Sequence, residues 1–131
     1  MHNGIIENSG EIKKTLLPAN TAYQSQTDTE VFAHLLEKYY TGEPVSAIAK
    51  ALAVLKGTYA FSILCSDYPH MVFGAASGSP LVALKGQKGF YIASDISAVS
   101  EKITECYRVS NGEICALTQD GIDFFDAFTQ Y

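Results

Sequence analysis

Tryptophan is absent from this chain, and cysteine is nearly so, with Cys65, Cys106 and Cys115 its only thiols. Their odd number and wide spacing argue against a disulfide framework. Cys65 and Cys115 lie in apolar, strand-like stretches, so the three read as reduced thiols used as small hydrophobes. No Cys-x-x-Cys pair exists, and His2, His34 and His70 stand far apart, which argues against a zinc site. Basic runs are also missing. The nine Lys and Arg are scattered, with only Lys13 and Lys14 adjacent, and the formal net charge is −5, the wrong sign for a nucleic-acid surface. No apolar run approaches the length of a membrane span, and no basic segment followed by an apolar one opens the chain as a signal peptide would. The cytoplasm is the expected compartment, with no membrane partner. Gly86-Gln87-Lys88-Gly89 lacks the Gly-x-x-x-x-Gly-Lys-Ser/Thr spacing that cradles phosphate and reads as a hairpin turn. There is no repeat, low-complexity tract or linker.

What remains is a chain of 131 residues, 47% apolar and 18% charged, the size and composition of one globular domain or part of one. Its first half reads helical. Asn8 and Glu11 have capping-box spacing ahead of Ile12 and Leu16, and Pro18 ends that segment. Thr27 and Glu30 form a second capping box, opening a helix with Val31, Phe32, Leu35, Leu36 and Tyr39 on its apolar side and Gly42 at its end. Pro44 suits the first turn of a third helix, carrying Val45, Ile48, Ala49, Leu52 and Leu55 at helical spacing. The second half reads as strands: 58–66, 71–76, 81–85, 89–94, 107–109, 113–118 and 122–125, with 95–103 as a short helix. Asn111-Gly112 and Asp120-Gly121 are hairpin-turn signals. Residues 58–66 look buried on both faces, as a central strand would be. Helices first and strands after predict an α+β fold with antiparallel pairing.

Two places carry potential chemistry. Asn3-Gly4 is the commonest two-residue turn pair. It is also a pair of hydrogen-bond donors, a side-chain amide and a close-approaching backbone N–H, able to converge on one oxygen. Donors of that kind stabilise the oxyanion of amide hydrolysis by roughly 3–4 kcal/mol each. Asp28, in the first turn of a helix, complements the helix dipole for about 0.3–1 kcal/mol. It is equally a carboxylate suited to pair with the α-ammonium of an amino acid. His34 reads as a packed or capped side chain rather than a ligand.

Taken together, His2-Asn3-Gly4-Ile5-Ile6-Glu7-Asn8, Thr27-Asp28-Thr29-Glu30-Val31, Leu55-Lys56-Gly57-Thr58-Tyr59-Ala60, Ser77-Gly78-Ser79-Pro80-Leu81-Val82, Ala93-Ser94-Asp95 and Asn111-Gly112-Glu113-Ile114 resemble, in order, the glutaminase domain of the glutamine–fructose-6-phosphate aminotransferase family. The resemblance runs through essentially the whole chain. It implies part of an N-terminal-nucleophile-hydrolase αββα sandwich over residues 1–131, in which Asn3 and Gly4 form the oxyanion hole and Asp28 holds glutamine. In that family a first-residue Cys attacks the glutamine amide, its own α-amino group acts as base, and ammonia passes to sugar isomerase domains. Here no Cys stands at the N-terminus, and the family's Arg-Trp-Ala-Thr-His-Gly segment has no counterpart. The expectation is a partial domain, inactive alone, without cofactor or metal, that self-associates through uncovered sheet surface. The rival expectation is a non-catalytic, stand-alone binding or interaction module on the same fold.

Overall fold

The structure, a computed structural model, describes residues 2–127, with side chains from residue 4 onward. The chain opens with a strand, β1 (His2–Ile6), before its helices α1 (Ser9–Thr15), α2 (Asp28–Tyr39) and α3 (Pro44–Val54). Then follow β2 (Gly57–Ile63), β3 (Val72–Ser77), β4 (Val82–Gly86), β5 (Phe90–Ala93), a single 3₁₀ turn at Ile96–Ala98, β6 (Ile103–Arg108), β7 (Glu113–Thr118) and β8 (Gly121–Asp126). β1 is the element the sequence did not predict, because its Asn-Gly pair reads as a turn. The predicted helix over 95–103 shrinks to the 3₁₀ turn, since β6 already begins at Ile103.

Every strand pair within the two sheets is antiparallel, in orders β1-β2-β3-β7-β8 and β5-β4-β6. The larger sheet is apolar on both faces and alternates cleanly. Tyr59, Phe61, Phe73, Ala75, Ile114 and Ala116 join the helices in one core, whereas Ala60, Ala76, Cys115 and Leu117 face the smaller sheet with Leu81, Ala83 and Val109. The layers are therefore helices, five-stranded sheet and three-stranded sheet. At Gly74 the sheets approach so closely that a Cβ would lie 2.9 Å from both Cys115 Sγ and Ile92 Cδ1.

Helix α2 is fixed on the sheet by Phe32, whose ring stacks on Phe61 with centroids 3.8 Å apart and planes 6° from parallel. Both rings are buried. Each such side chain contributes about 1.5–3 kcal/mol of burial. Thr27 caps this helix as predicted, its Oγ1 accepting from Glu30 N at 3.4 Å. Glu30 does not return the bond; its carboxylate takes Gln24 N and Ser25 Oγ, both at 2.8 Å. The Asn8 box fails altogether. Its amide instead donates to Val54 O at 2.8 Å and accepts from Lys56 N at 2.9 Å, stitching the end of β1 to the α3–β2 junction.

Two turn predictions shift. The β7–β8 pairing closes at Thr118 and Gly121, so the loop residues are Gln119 and Asp120. Asn111-Gly112 is a turn but not a hairpin: Glu113 N donates to Ser110 O at 3.0 Å, Gly112 has φ +82°, and the turn links β6 of one sheet to β7 of the other. Gly86–Gly89 does close the β4–β5 hairpin, with Gly86 N donating to Gly89 O at 2.8 Å.

Candidate functional site

Gly4 lies inside β1, opposite Tyr59 of β2, which overturns the reading of Asn3-Gly4 as a two-residue turn. The glycine is required for a different reason. Its φ is +124°, and a Cβ there would sit 2.3 Å from the carbonyl oxygen of Thr58. Gly57 mirrors it from the other strand, with φ +118° and a Cβ position 2.2 Å from Ile5 O. Two glycines with left-handed backbone let the strands press together, and Gly4 is exposed. Asn3 pairs with Ala60 through its backbone; its side chain lies outside the described residues.

Asp28 is the first residue of α2 and half-buried. Its Oδ2 accepts the backbone N–H of Ile6 at 2.9 Å. The carboxylate thus complements the helix N-terminus and also anchors β1. Successive N–H groups of an antiparallel strand alternate between partner and open side. Because the Ile6 N–H turns away from β2 to Asp28, Gly4, two residues back, occupies the same phase of the ladder. The structure therefore brings Gly4 and Asp28, 24 positions apart in sequence, to one strand edge. The Phe32–Phe61 stack holds the helix that carries Asp28 at that height.

Beside them, Tyr59 is buried, and burial pushes its phenol up, partly offset by a hydrogen bond with Ser77. A parallel bridge joins Tyr59 to Gly78, and Gly78 (φ +72°) packs its Cα face against the Thr58 methyl. The Ser77–Val82 segment consequently flanks β2 on the side away from β1. Sequence reasoning missed three residues here. Thr58 walls Gly4 and Gly78, Asn8 ties the junction, and Asn111 Oδ1 accepts Gly78 N–H at 3.0 Å.

The thiols lie elsewhere. Cys115 is buried between the sheets, and burial pushes its thiol up to about 11. Cys65 follows the far end of β2, in hydrogen-bonding contact with the Tyr40 hydroxyl, which donates to Asp67 at 2.6 Å. From Tyr59 to Ile63 alone the strand advances about 13 Å. Cys106 is exposed on β6, contrary to the expectation that all three thiols pack as hydrophobes. His34 bridges Glu30 and Glu37 at 3.2 and 3.7 Å and meets the Tyr23 ring edge-on, a structural role. No described helix is long and apolar enough to cross a membrane.

Residues 1–101 match the family model described as a glutamine amidotransferase domain. Among curated proteins, the chain is 41% identical over 128 residues to the glutamine–fructose-6-phosphate aminotransferase (isomerizing) of Caldanaerobacter subterraneus subsp. tengcongensis, and 38% identical over 126 residues to that of Clostridium perfringens. These alignments cover 98% and 96% of this chain but 21% of either relative; the chain spans about a fifth of their length. Among solved structures, a glutamine phosphoribosylpyrophosphate amidotransferase from B. subtilis superposes with TM-score 0.84 at 25% identity, covering 99% of this chain and 29% of that one. A glutamine aminotransferase class-II domain protein from Silicibacter pomeroyi matches in fold alone, with TM-score 0.68 at 19% identity over 96% of this chain and 65% of that one. The α+β architecture is that of the N-terminal-nucleophile-hydrolase amidotransferases.

Proposed function

Because the chain belongs to the glutamine amidotransferase domain family, we infer that the edge built by β1 and the start of α2 is the substrate-holding half of a glutamine-hydrolysing centre. The observation that carries this is the Asp28–Ile6 contact at 2.9 Å, which keeps a carboxylate beside the strand that bears Asn3 and Gly4. In this reading Asp28 pairs with the glutamine α-ammonium. The Asn3 amide and the Gly4 N–H receive the oxyanion as a thiolate adds to the side-chain carbonyl carbon. The carbon–nitrogen bond then breaks, ammonia leaves with a proton from the base, and water hydrolyses the thioester. The ammonia serves glucosamine-6-phosphate synthesis from fructose-6-phosphate on sugar isomerase domains.

The nucleophile is none of this chain's three thiols. Cys115 is buried and held protonated, Cys106 lies on the other sheet, and Cys65 lies past the opposite end of β2. A polypeptide of these 131 residues therefore binds glutamine weakly at most and does not turn it over. The test joins these residues behind a segment that opens on the first-residue Cys the resemblance implies and measures ammonia release from glutamine. Activity that appears on joining and vanishes with Asn3→Ala supports the reading. A folded, joined protein that stays inactive, or one indifferent to Asn3 and Asp28, refutes it.

A further inference from the structure

Arg108, the only arginine in the chain, lies at the C-terminal end of β6, paired through its backbone with Val82. It lines a recess of about 450 Å³ between the two sheets, with Gly78, Ser79, Ser110 and Asn111. The recess stands on the far side of β2 from Gly4, since Gly78 bridges Tyr59 while Gly4 pairs with Tyr59 from the opposite strand. Among the described residues no Asp or Glu lines it, although the chain carries 14 acids and a net charge of −5. Among the described residues, no carboxylate is paired with Arg108. Two acids of the flanking strands have other partners: Glu113 accepts Ser110 N at 2.7 Å, and Glu105 accepts the Tyr107 hydroxyl at 2.8 Å.

Each polar side chain of the recess carries a hydrogen-bond donor that no described residue accepts. Asn111 Oδ1 takes the Gly78 N–H. Only the amide oxygen can accept there, so the Asn111 Nδ2 carries two N–H donors that no described residue uses. The Ser79 and Ser110 hydroxyls likewise bond no described residue. A guanidinium offers a planar, permanently charged fork that matches two oxygens of one anion. Gly78 keeps the wall rigid, because its left-handed backbone and its N–H bond fix the turn between β3 and β4.

We propose that this recess is a binding site for a small oxyanion, a carboxylate or a phosphate group, held by Arg108 with the Asn111 amide and the Ser79 and Ser110 hydroxyls as further donors. The site is independent of glutamine hydrolysis and stands whether or not that reading does. A single exposed arginine and neutral donors give binding in the millimolar range, suited to one charged group of a larger ligand.

The test is an amide-resolved NMR titration of the 131-residue chain with inorganic phosphate and, separately, with acetate, at constant ionic strength set by chloride. Saturable shifts at Gly78, Ser79, Ser110, Asn111 and Gly112 are expected. Arg108→Gln should weaken the binding at least about tenfold, the loss of one charge-assisted contact. Arg108 is exposed, so the variant keeps its fold, which its own spectrum checks. Tighter binding of phosphate assigns the site to a phosphoryl group, and tighter binding of acetate to a carboxylate. Linear, unsaturable shifts overturn the proposal. So does an affinity untouched by Arg108→Gln, or a response centred on Lys85 and Lys88, which line a separate recess with His70.

Discussion

The Asp28 carboxylate accepts the main-chain N–H of Ile6 at 2.9 Å, so one side chain fastens a helix start to an edge strand. Asn and Ala at this position separate its two jobs. Asp28→Asn keeps an oxygen to accept from Ile6 and should cost little stability. Asp28→Ala removes the acceptor and should cost about 1–3 kcal/mol in urea unfolding, with faster hydrogen exchange at Ile6. In the joined, active protein both variants should raise the Michaelis constant for glutamine, because the ammonium contact exists in ground and transition states alike. Asn3→Ala should lower turnover instead. Equal loss of activity and of melting temperature in Asp28→Asn and Asp28→Ala would reduce the residue to its structural task.

Gly4→Ala should detach β1. The new Cβ meets a backbone oxygen 2.3 Å away, and the residue must hold φ +124°. Left-handed strain and the clash together should cost at least about 2 kcal/mol. Gly10→Ala is the control, since a Cβ there meets nothing within 4 Å. Denaturant midpoints decide it, and similar midpoints for the two variants would contradict the close approach.

Stability should fall as the solution is made alkaline. Cys115 has its thiol pushed up to about 11 by burial, whereas an unfolded chain releases that proton near ~8.5. Between those values the unfolded state binds fewer protons than the folded one, so stability decreases with rising pH. The full contribution is on the order of 3 kcal/mol. It is intact below about pH 8.5 and lost as the folded thiol ionises near pH 11. The buried Tyr59 phenol adds a change of the same sign, so the measurement is the difference between wild type and Cys115→Ala. Parallel pH profiles for the two would place the effect elsewhere.

Self-association at micromolar concentration is expected. β1 and β8 are the edges of the larger sheet, and Ile5, Leu64, Tyr107 and Phe124 are exposed large hydrophobics. An open edge beside apolar surface is a template for another strand. Light scattering behind size exclusion should report a dimer or larger species. A monomer that unfolds in one cooperative step would favour the stand-alone module.

The parts of the fold written in apolar periodicity were legible. β7 matches its predicted span of Glu113–Thr118, and α2 and α3 begin at their caps and at Pro44. β6 was found only at its end because five of its six residues are exposed and the sixth is half-buried, so no buried face repeats every second residue. β1 was missed because Asn-Gly signals a turn and nothing local reports that Thr58 closes on Gly4. The candidate residues Gly4 and Asp28 were named by motif, yet their meeting at one edge is a tertiary fact. It depends on Phe32 stacking on Phe61, a contact no spacing rule encodes.

The alternation along β2, β3 and β7 sends neighbouring residues into opposite cores, Phe61 to the helices and Ala60 to the second sheet. No strand in this trio belongs to one core alone, so neither layer can melt while leaving the other its backbone. A substitution under the helices and one between the sheets should therefore displace the same thermal transition, without a separate early step. The candidate edge is tied to that cooperativity through β2, the strand on which β1 is paired.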